Sequence, residues 1–240
     1  MSLNWAFMGE TLRAALKGIP VTLELTVISL LIAVPLGFLI AVVRDSGRHP
    51  VWDKIFAVYV SYTRGTPVIV QILIVYALLP DLLKALVEAL HLSLDVYAIP
   101  NIVYAIILFG LWMPAFLSEV FRAGLHSVGK GQYEAAISNG LTKTQAYTRI
   151  IAPQVFEAML PVLCTNVNNL IKMTSLSFAM SVSEVTSIAK VAAATNLNYV
   201  EAYLVIAMIY LVLCFAVEAL FHYLEKRVER RKKQGGETLA

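Results

Sequence analysis

Residues 25–43 read LTVISLLIAVPLGFLIAVV, nineteen consecutive positions without a charge. A helix rising about 1.5 Å per residue would carry them across about 28 Å, close to the hydrocarbon thickness of a bilayer. The run lacks the two-residue alternation of a barrel strand. Lipid offers the backbone no hydrogen-bond partner, so a spanning helix is the form that remains. The same reading extends along the chain. With 59% hydrophobic and 15% charged residues, the 240 residues hold more apolar surface than a soluble core of that size could enclose. The sequence describes an all-α membrane protein with a single transmembrane domain.

Five spans are expected, at about 19–43, 55–79, 96–123, 154–173 and 200–224. Charges and turn formers from Arg44 to Pro50 end the first, which is expected to be retained because no small-residue cleavage site closes it. The second contains one charge, Arg64. The fourth is short: Ala158 to Ile171 is followed by Lys172 and small polar residues as far as Ser183. It reads as a broken or partly re-entrant helix, tolerated where the freed backbone is buried or lines a cavity.

Five spans place the two ends on opposite sides. Putting the C-terminus inside collects thirteen Lys and Arg there, including those of a basic tail at 225–240, and leaves Arg13, Lys17, Lys84 and Lys190 outside. The positive-inside rule therefore predicts N-out and C-in, with residues 125–153 as a cytoplasmic loop between spans three and four.

That loop contains GQYEAAISNGLT, residues 131–142. Gln132 to Ser138 suits one short helix, since Ala135 and Ala136 are strong helix formers. Asn139-Gly140 ends it in a left-handed turn. Thr142-Lys143-Thr144-Gln145 fits a capping box that starts a second helix, expected to stop at Pro153. Local chemistry leaves two uses open, a hairpin that only connects spans and a handle for another protein.

The spacing of Glu134-Ala135-Ala136, Gly140, Ile150 and Pro153 resembles the EAA loop of ABC importer membrane subunits. Further segments resemble the polar amino-acid branch of that family: Arg64-Gly65-Thr66-Pro67 its RGTP element, residues 115–124 its AYxAEIxRGG segment, Lys130-Gly131-Gln132 its PKGQ, and Lys172 to Leu176 its KDTSL. Together they cover about residues 22–227. The resemblance implies the type I ABC importer fold in a bacterial inner membrane. It makes Glu134, Ala135, Ala136, Gly140, Ile150 and Pro153 the coupling residues that dock into a cleft of a separate ABC ATPase, present in two copies. ATP and magnesium would bind that ATPase, and this chain would carry no cofactor and no catalytic residue. A second permease subunit, identical or homologous, and an extracytoplasmic amino-acid-binding protein complete the implied partners. Ala152 stands where the family has Leu, Gly129 where it has Pro, and Met173 where it has Asp. The physical basis survives these departures: small residues admit a close partner, Gly140 permits the bend, and Glu134 offers an acceptor.

Residues 124–131 match the first seven positions of a phosphate-binding GxxxxGK[ST] loop. Gly131 supplies no hydroxyl, however, and a membrane span precedes the segment, so nucleotide binding by this chain is not expected. Cys164 and Cys214 lie apart in apolar runs and the four histidines are scattered, which leaves no pattern for a metal.

Charges at membrane depth cost roughly 2.5–3.5 kcal/mol on insertion scales, which makes Arg64 and Lys172 candidates for the substrate pathway. Pairing with Glu119 or Glu184 is the other reading of each, and Glu119 itself is placed on the pathway. Gly65, Thr66 and Pro67 would open the helix and free polar backbone groups to face substrate. Trp112 before Met113-Pro114 fits a packed kink or a hydrophobic gate. Thr165, Asn166, Asn168 and Asn169 form a polar segment that lipid would not tolerate. Thr165, Asn166 and Asn169 join the pathway with Lys172, Thr174 and Ser175. The residue at Asn166 is often acidic in the family, and a neutral Asn leans the substrate towards a neutral or zwitterionic amino acid of the cystine or glutamine class. The alternatives are an ion-coupled secondary amino-acid transporter using Arg64, Lys172, Glu119 and Glu184, and an intramembrane enzyme. The latter lacks any GxSxG or HExxH pattern.

Overall fold

The computed structural model describes residues 3–237. Among the described residues there is no strand, and five helical stretches are long and apolar enough to cross a membrane: Trp5–Ser46, Val68–Ala89, Asn101–Ser127, Lys143–Met180 and Tyr199–Arg230.

The first stretch joins α1 (Trp5–Ala15) to α2 (Ile19–Ser46) through one 3-10 turn, so helix begins well before the expected limit at 19. α2 buries Thr22, Thr26, Ser29, Ala33, Gly37 and Ala41. Small residues at every third or fourth position form one face that lets another helix come close, the usual basis of packing in lipid. That helix is α6 (Pro114–Ser127), which follows α5 (Asn101–Trp112) with only Met113 between them. A Cβ added to Gly37 would lie 2.9 Å from Leu117 Cβ and 3.3 Å from the Pro114 carbonyl oxygen. The α2–α6 contact therefore requires glycine there.

The apolar run expected as one span at 55–79 is two helices, α3 (Pro50–Gly65) and α4 (Val68–Ala89), parted by extended backbone at Thr66 and Pro67. Pro67 lacks an N–H and disfavours helical backbone at Thr66, which breaks the run although its hydropathy continues. α3 packs on α2 and α6, while α4 packs on α5.

After α7 (Lys130–Ser138) and α8 (Lys143–Gln145), a π-helical turn at Ala146–Ile151 runs directly into α9 (Ala152–Thr174) and a 3-10 turn at Ser175–Met180. Two expectations are corrected. Pro153 stops no helix: it sits in the first turn of α9, where the preceding turn is already wound in the wider π form and the missing donor costs little. The fourth span is also unbroken until Ser181, which takes a left-handed φ of 58°. Thr165, Asn166, Thr174 and Ser175 each donate to a carbonyl three or four residues earlier on their own helix, so their polarity is absorbed without unwinding it.

α10 (Val185–Asn196) is short, and α11 (Tyr199–Glu237) continues far past the expected limit at 224 into the basic tail, whose residues 238–240 lie outside the described part. One core, around Leu25, Phe109, Leu117 and Leu170, unites α2, α5, α6 and α9. A second, around Ala15, Ile171, Val185 and Val205, ties α1 and α10 to α11.

Candidate functional site: the coupling loop and the polar faces behind it

α7 ends as its sequence suggests. Asn139 and Gly140 donate to the carbonyls of Ala135 and Ile137, Leu141 reaches back to Ala136, and Gly140 holds φ at 83°. Beyond the turn, the Thr142 hydroxyl accepts from the Gln145 N–H while the Gln145 side chain accepts from the Thr142 N–H, a complete capping box. Glu134, Ala135, Gly140 and Pro153 are exposed, Ile150 is half-buried, and Ala136 is buried. Of the six residues expected to meet a partner, Ala136 is the one buried within this chain, and Tyr133 packs on Tyr147 with ring centroids 5.4 Å apart. Tyr133, Glu134, Ile137, Ser138, Leu141 and Thr142 border a hollow of about 480 Å³ on the outer side of the bend. That packing links α7 to the π turn, and continuous helix links the turn to α9.

The same end of the molecule holds an ion network. Arg44 Nη1 lies 2.5 Å from Glu119 Oε1, and Arg122 Nη1 lies 3.5 Å from Glu119 Oε2. Arg44 Nε is 3.8 Å from Asp53, and His126 Nε2 is 2.6 Å from Asp45. These contacts join the end of α2, the start of α3 and the last turns of α6, immediately before the loop. Glu119, expected on the substrate pathway, is held by two arginines that the expectation did not connect with it. Glu184 does not pair with Arg64 or Lys172 either. It caps α10 by accepting from the N–H groups of Thr186 and Ser187, and it also accepts from the Tyr210 hydroxyl.

At the α3–α4 break, the Gln71 side-chain amide reaches the Thr63 carbonyl at 3.0 Å, the Thr66 carbonyl at 3.2 Å and the Thr66 hydroxyl at 2.6 Å. Gln71 therefore occupies acceptors that the Gly65-Thr66-Pro67 interruption would otherwise leave bare. The Arg64 guanidinium lies 5.8 Å from the centroid of the Phe116 ring, and Phe116 packs on Trp112 at 4.4 Å. Trp112 is buried and borders an almost wholly apolar cavity of about 300 Å³ with Tyr59, Thr63, Gln71 and Leu108. The Tyr59 hydroxyl donates to the Leu111 carbonyl, just before the α5–α6 kink.

On α9, Thr165, Asn169 and Lys172 are exposed along one face and Asn166 is half-buried at its flank. Thr174 is buried completely within this chain. Asn168 donates to Glu218 of α11 at 3.2 Å. Sequence reasoning passed over Glu218, although the rule that singled out Arg64 and Lys172, a charge inside an apolar run, applies to it equally.

Residues 33–230 match the family described as binding-protein-dependent transport system inner membrane component. The probable amino-acid permease protein YxeN of Bacillus subtilis (strain 168) is 33% identical over 229 residues, which cover 95% of this chain and 97% of that protein. The L-cystine transport system permease protein TcyB of the same organism is 36% identical over 232 residues, with 95% and 93% covered. A solved chain from an amino acid ABC transporter with histidines superposes with a TM-score of 0.76 at 26% identity, covering 95% of this chain and all of that one. A chain of the inward-facing MetNI methionine ABC transporter shares the fold at 15% identity, with a TM-score of 0.64 over 94% of this chain and 99% of that one.

Proposed function

The chain belongs to the family of binding-protein-dependent transport system inner-membrane components, and on that premise we propose that it is the membrane-spanning subunit of an ATP-driven importer of polar amino acids. It has the type I importer fold and works beside a second permease subunit. It hydrolyses no ATP itself. ATP and magnesium belong to a separate ATPase that grips α7 and α8, and an extracytoplasmic binding protein delivers substrate to the opposite face. The N-terminus lies outside and the basic C-terminal helix inside, as the Lys and Arg distribution favours.

The observation that carries this reading is the build of the loop. A left-handed glycine and a capping box fold two short helices into a rigid bend, which presents Glu134 and Ala135 outward and stands on the base of α9. Closure of the ATPase pair would press on α7, and α9 would carry the displacement about 30 Å, from Ala152 to Lys172, along the fourth span. Glu134→Lys tests this. The variant chain should lose most of its co-purifying ATPase and its uptake while remaining folded, and unchanged recovery together with unchanged uptake would exclude the docking role. The neutral Asn166 leans the substrate towards a neutral or zwitterionic amino acid such as cystine or glutamine, and one of the relatives is named for L-cystine transport. Uptake competition across an amino-acid panel measures that directly.

A further inference from the structure

α11 runs antiparallel to α9, since Ile171 shares a core with Val205 and Ile209 near the start of α11 while Asn168 meets Glu218 further along. Tyr199 and Tyr203 lie together in its first turns with ring centroids 6.4 Å apart, and Tyr223 is 61% exposed beyond its middle. At 1.5 Å per residue, Tyr203 and Tyr223 are about 30 Å apart along the axis, the thickness of the hydrocarbon layer. Tyrosines gather at the two membrane–water interfaces, where the ring rests on apolar surface and the hydroxyl stays wet. The two aromatic levels therefore mark where α11 enters and leaves the hydrocarbon.

The helix does not stop at Tyr223 but continues to Glu237. Lys226, Arg227 and Arg230 stand about 4–11 Å past the tyrosine, in a headgroup layer roughly 5–8 Å deep on each side, and the long arginine stem brings the outermost charge back into it. They also share a face. Val212, Phe215, Ala219 and Tyr223 follow one another at three- or four-residue steps and are exposed; Lys226 and Arg230 continue the stripe at the same steps, with Arg227 beside it. Phe221, Leu224, Glu225 and Val228 are half-buried on the other side of the helix. None of the three cations joins an ion pair among the described residues, while Glu225 lies 3.7 Å from His222. Glu229 is the acidic residue exposed at the flank of the stripe, and Arg231, Lys232 and Lys233 follow in sequence. The exposed face thus changes from apolar to aromatic to basic, in the order in which a lipid changes from tail to interface to headgroup.

We propose that Tyr223, Lys226, Arg227 and Arg230 form a docking surface for the headgroups of anionic phospholipids. The lipid tail runs along Val212, Phe215 and Ala219, and the phosphate lies against the three cations, where an arginine fork donates two parallel N–H bonds to its oxygens. A headgroup with a net negative charge is favoured over a zwitterionic one, because the choline of the latter would bring a fourth cation to the same face. Lipid fits the stripe better than an acidic protein does, since a partner in water would leave the apolar length on the membrane side of Tyr223 uncovered. The proposal goes beyond the importer reading and does not depend on it.

The test uses the full chain in nanodiscs with the subunits that co-purify. Tyr223→Trp serves as the local probe, and the chain without that change gives the background of the three native tryptophans. Quenching of the added signal by brominated phosphatidylglycerol is compared with quenching by brominated phosphatidylcholine. Each Lys or Arg held at an anionic surface is worth about fivefold, so three should favour the anionic lipid about 10- to 100-fold at this position. Raising the salt concentration should shrink the preference, a readout that needs no change to the basic face. Replacing Lys226, Arg227 and Arg230 together by Gln should bring the preference to within about twofold of none. Arg227→Lys with Arg230→Lys should keep most of it, because the charge is retained. Equal quenching by the two lipids, or a preference unchanged by salt or by the triple replacement, would overturn the proposal. Quenching by neither lipid would also overturn it, and would assign the stripe to contact with a second copy of the chain. Loss of a co-purifying ATPase in the triple variant, with the lipid preference intact, would overturn it in favour of a protein partner.

Discussion

Replacing Glu119 by Gln keeps the shape of the side chain and removes the charge shared by Arg44 and Arg122. The Arg44 contact is short, and the side chains are 14% and 31% exposed. Removing one partner of a fully buried pair costs about 3–5 kcal/mol and of an exposed pair about 0–1. An intermediate burial points to about 2 kcal/mol, roughly a 30-fold shift in an equilibrium constant. Asp53 cannot replace the lost carboxylate, because at 3.8 Å it is beyond hydrogen-bond distance from Arg44 Nε. For a chain of this size the loss corresponds to about 4–8 °C in a thermal-shift measurement on the purified complex. The network ties α2, α3 and α6 together beside the loop, so a second effect is expected: ATP hydrolysis persists while substrate moved per ATP falls. A double-mutant cycle with Arg44→Met isolates the pair. A coupling below about 0.5 kcal/mol, with uptake per ATP unchanged, would refute the assignment of a bracing role to Glu119.

Gly37→Leu forces a side chain into a 2.9 Å approach to Leu117 and should cost about 1–3 kcal/mol by overpacking, read as a lower unfolding temperature and reduced membrane yield. Gln71→Leu leaves the Thr63 and Thr66 carbonyls bare at the α3–α4 break. About 1–3 kcal/mol should be lost, and hydrogen exchange should accelerate around Gly65. Gly140→Ala meets no atom within 4 Å but must hold φ at 83°. It should cost about 1 kcal/mol and weaken ATPase recovery less than Glu134→Lys does, because only the bend is strained.

Local chemistry made much of this protein legible. Uninterrupted apolar runs have one outcome in lipid, and the loop's glycine and capping box act over two to five residues. The helical class, the loop's bend and the family resemblance could therefore all be read from the order of residues. The limits of the helices were less accessible, since hydropathy does not register backbone form: Pro67 divides an apolar run, whereas Pro153 is carried by a π turn that nothing in its own vicinity announces. Side-chain partners lay furthest from view. Glu119 answers to Arg44, 75 residues earlier in the chain, and Asn168 to Glu218, 50 residues later. Such pairs exist only after helices distant in sequence have packed, and packing depends on the small-residue face of α2 and the antiparallel meeting of α9 with α11. The sequence by itself determined that the chain crosses a membrane as helices and carries a bent loop of two short helices. The tertiary structure alone decided which distant charges meet beside that loop and which acquire no ion-pair partner among the described residues, because electrostatic energy depends on distances through space and not along the chain.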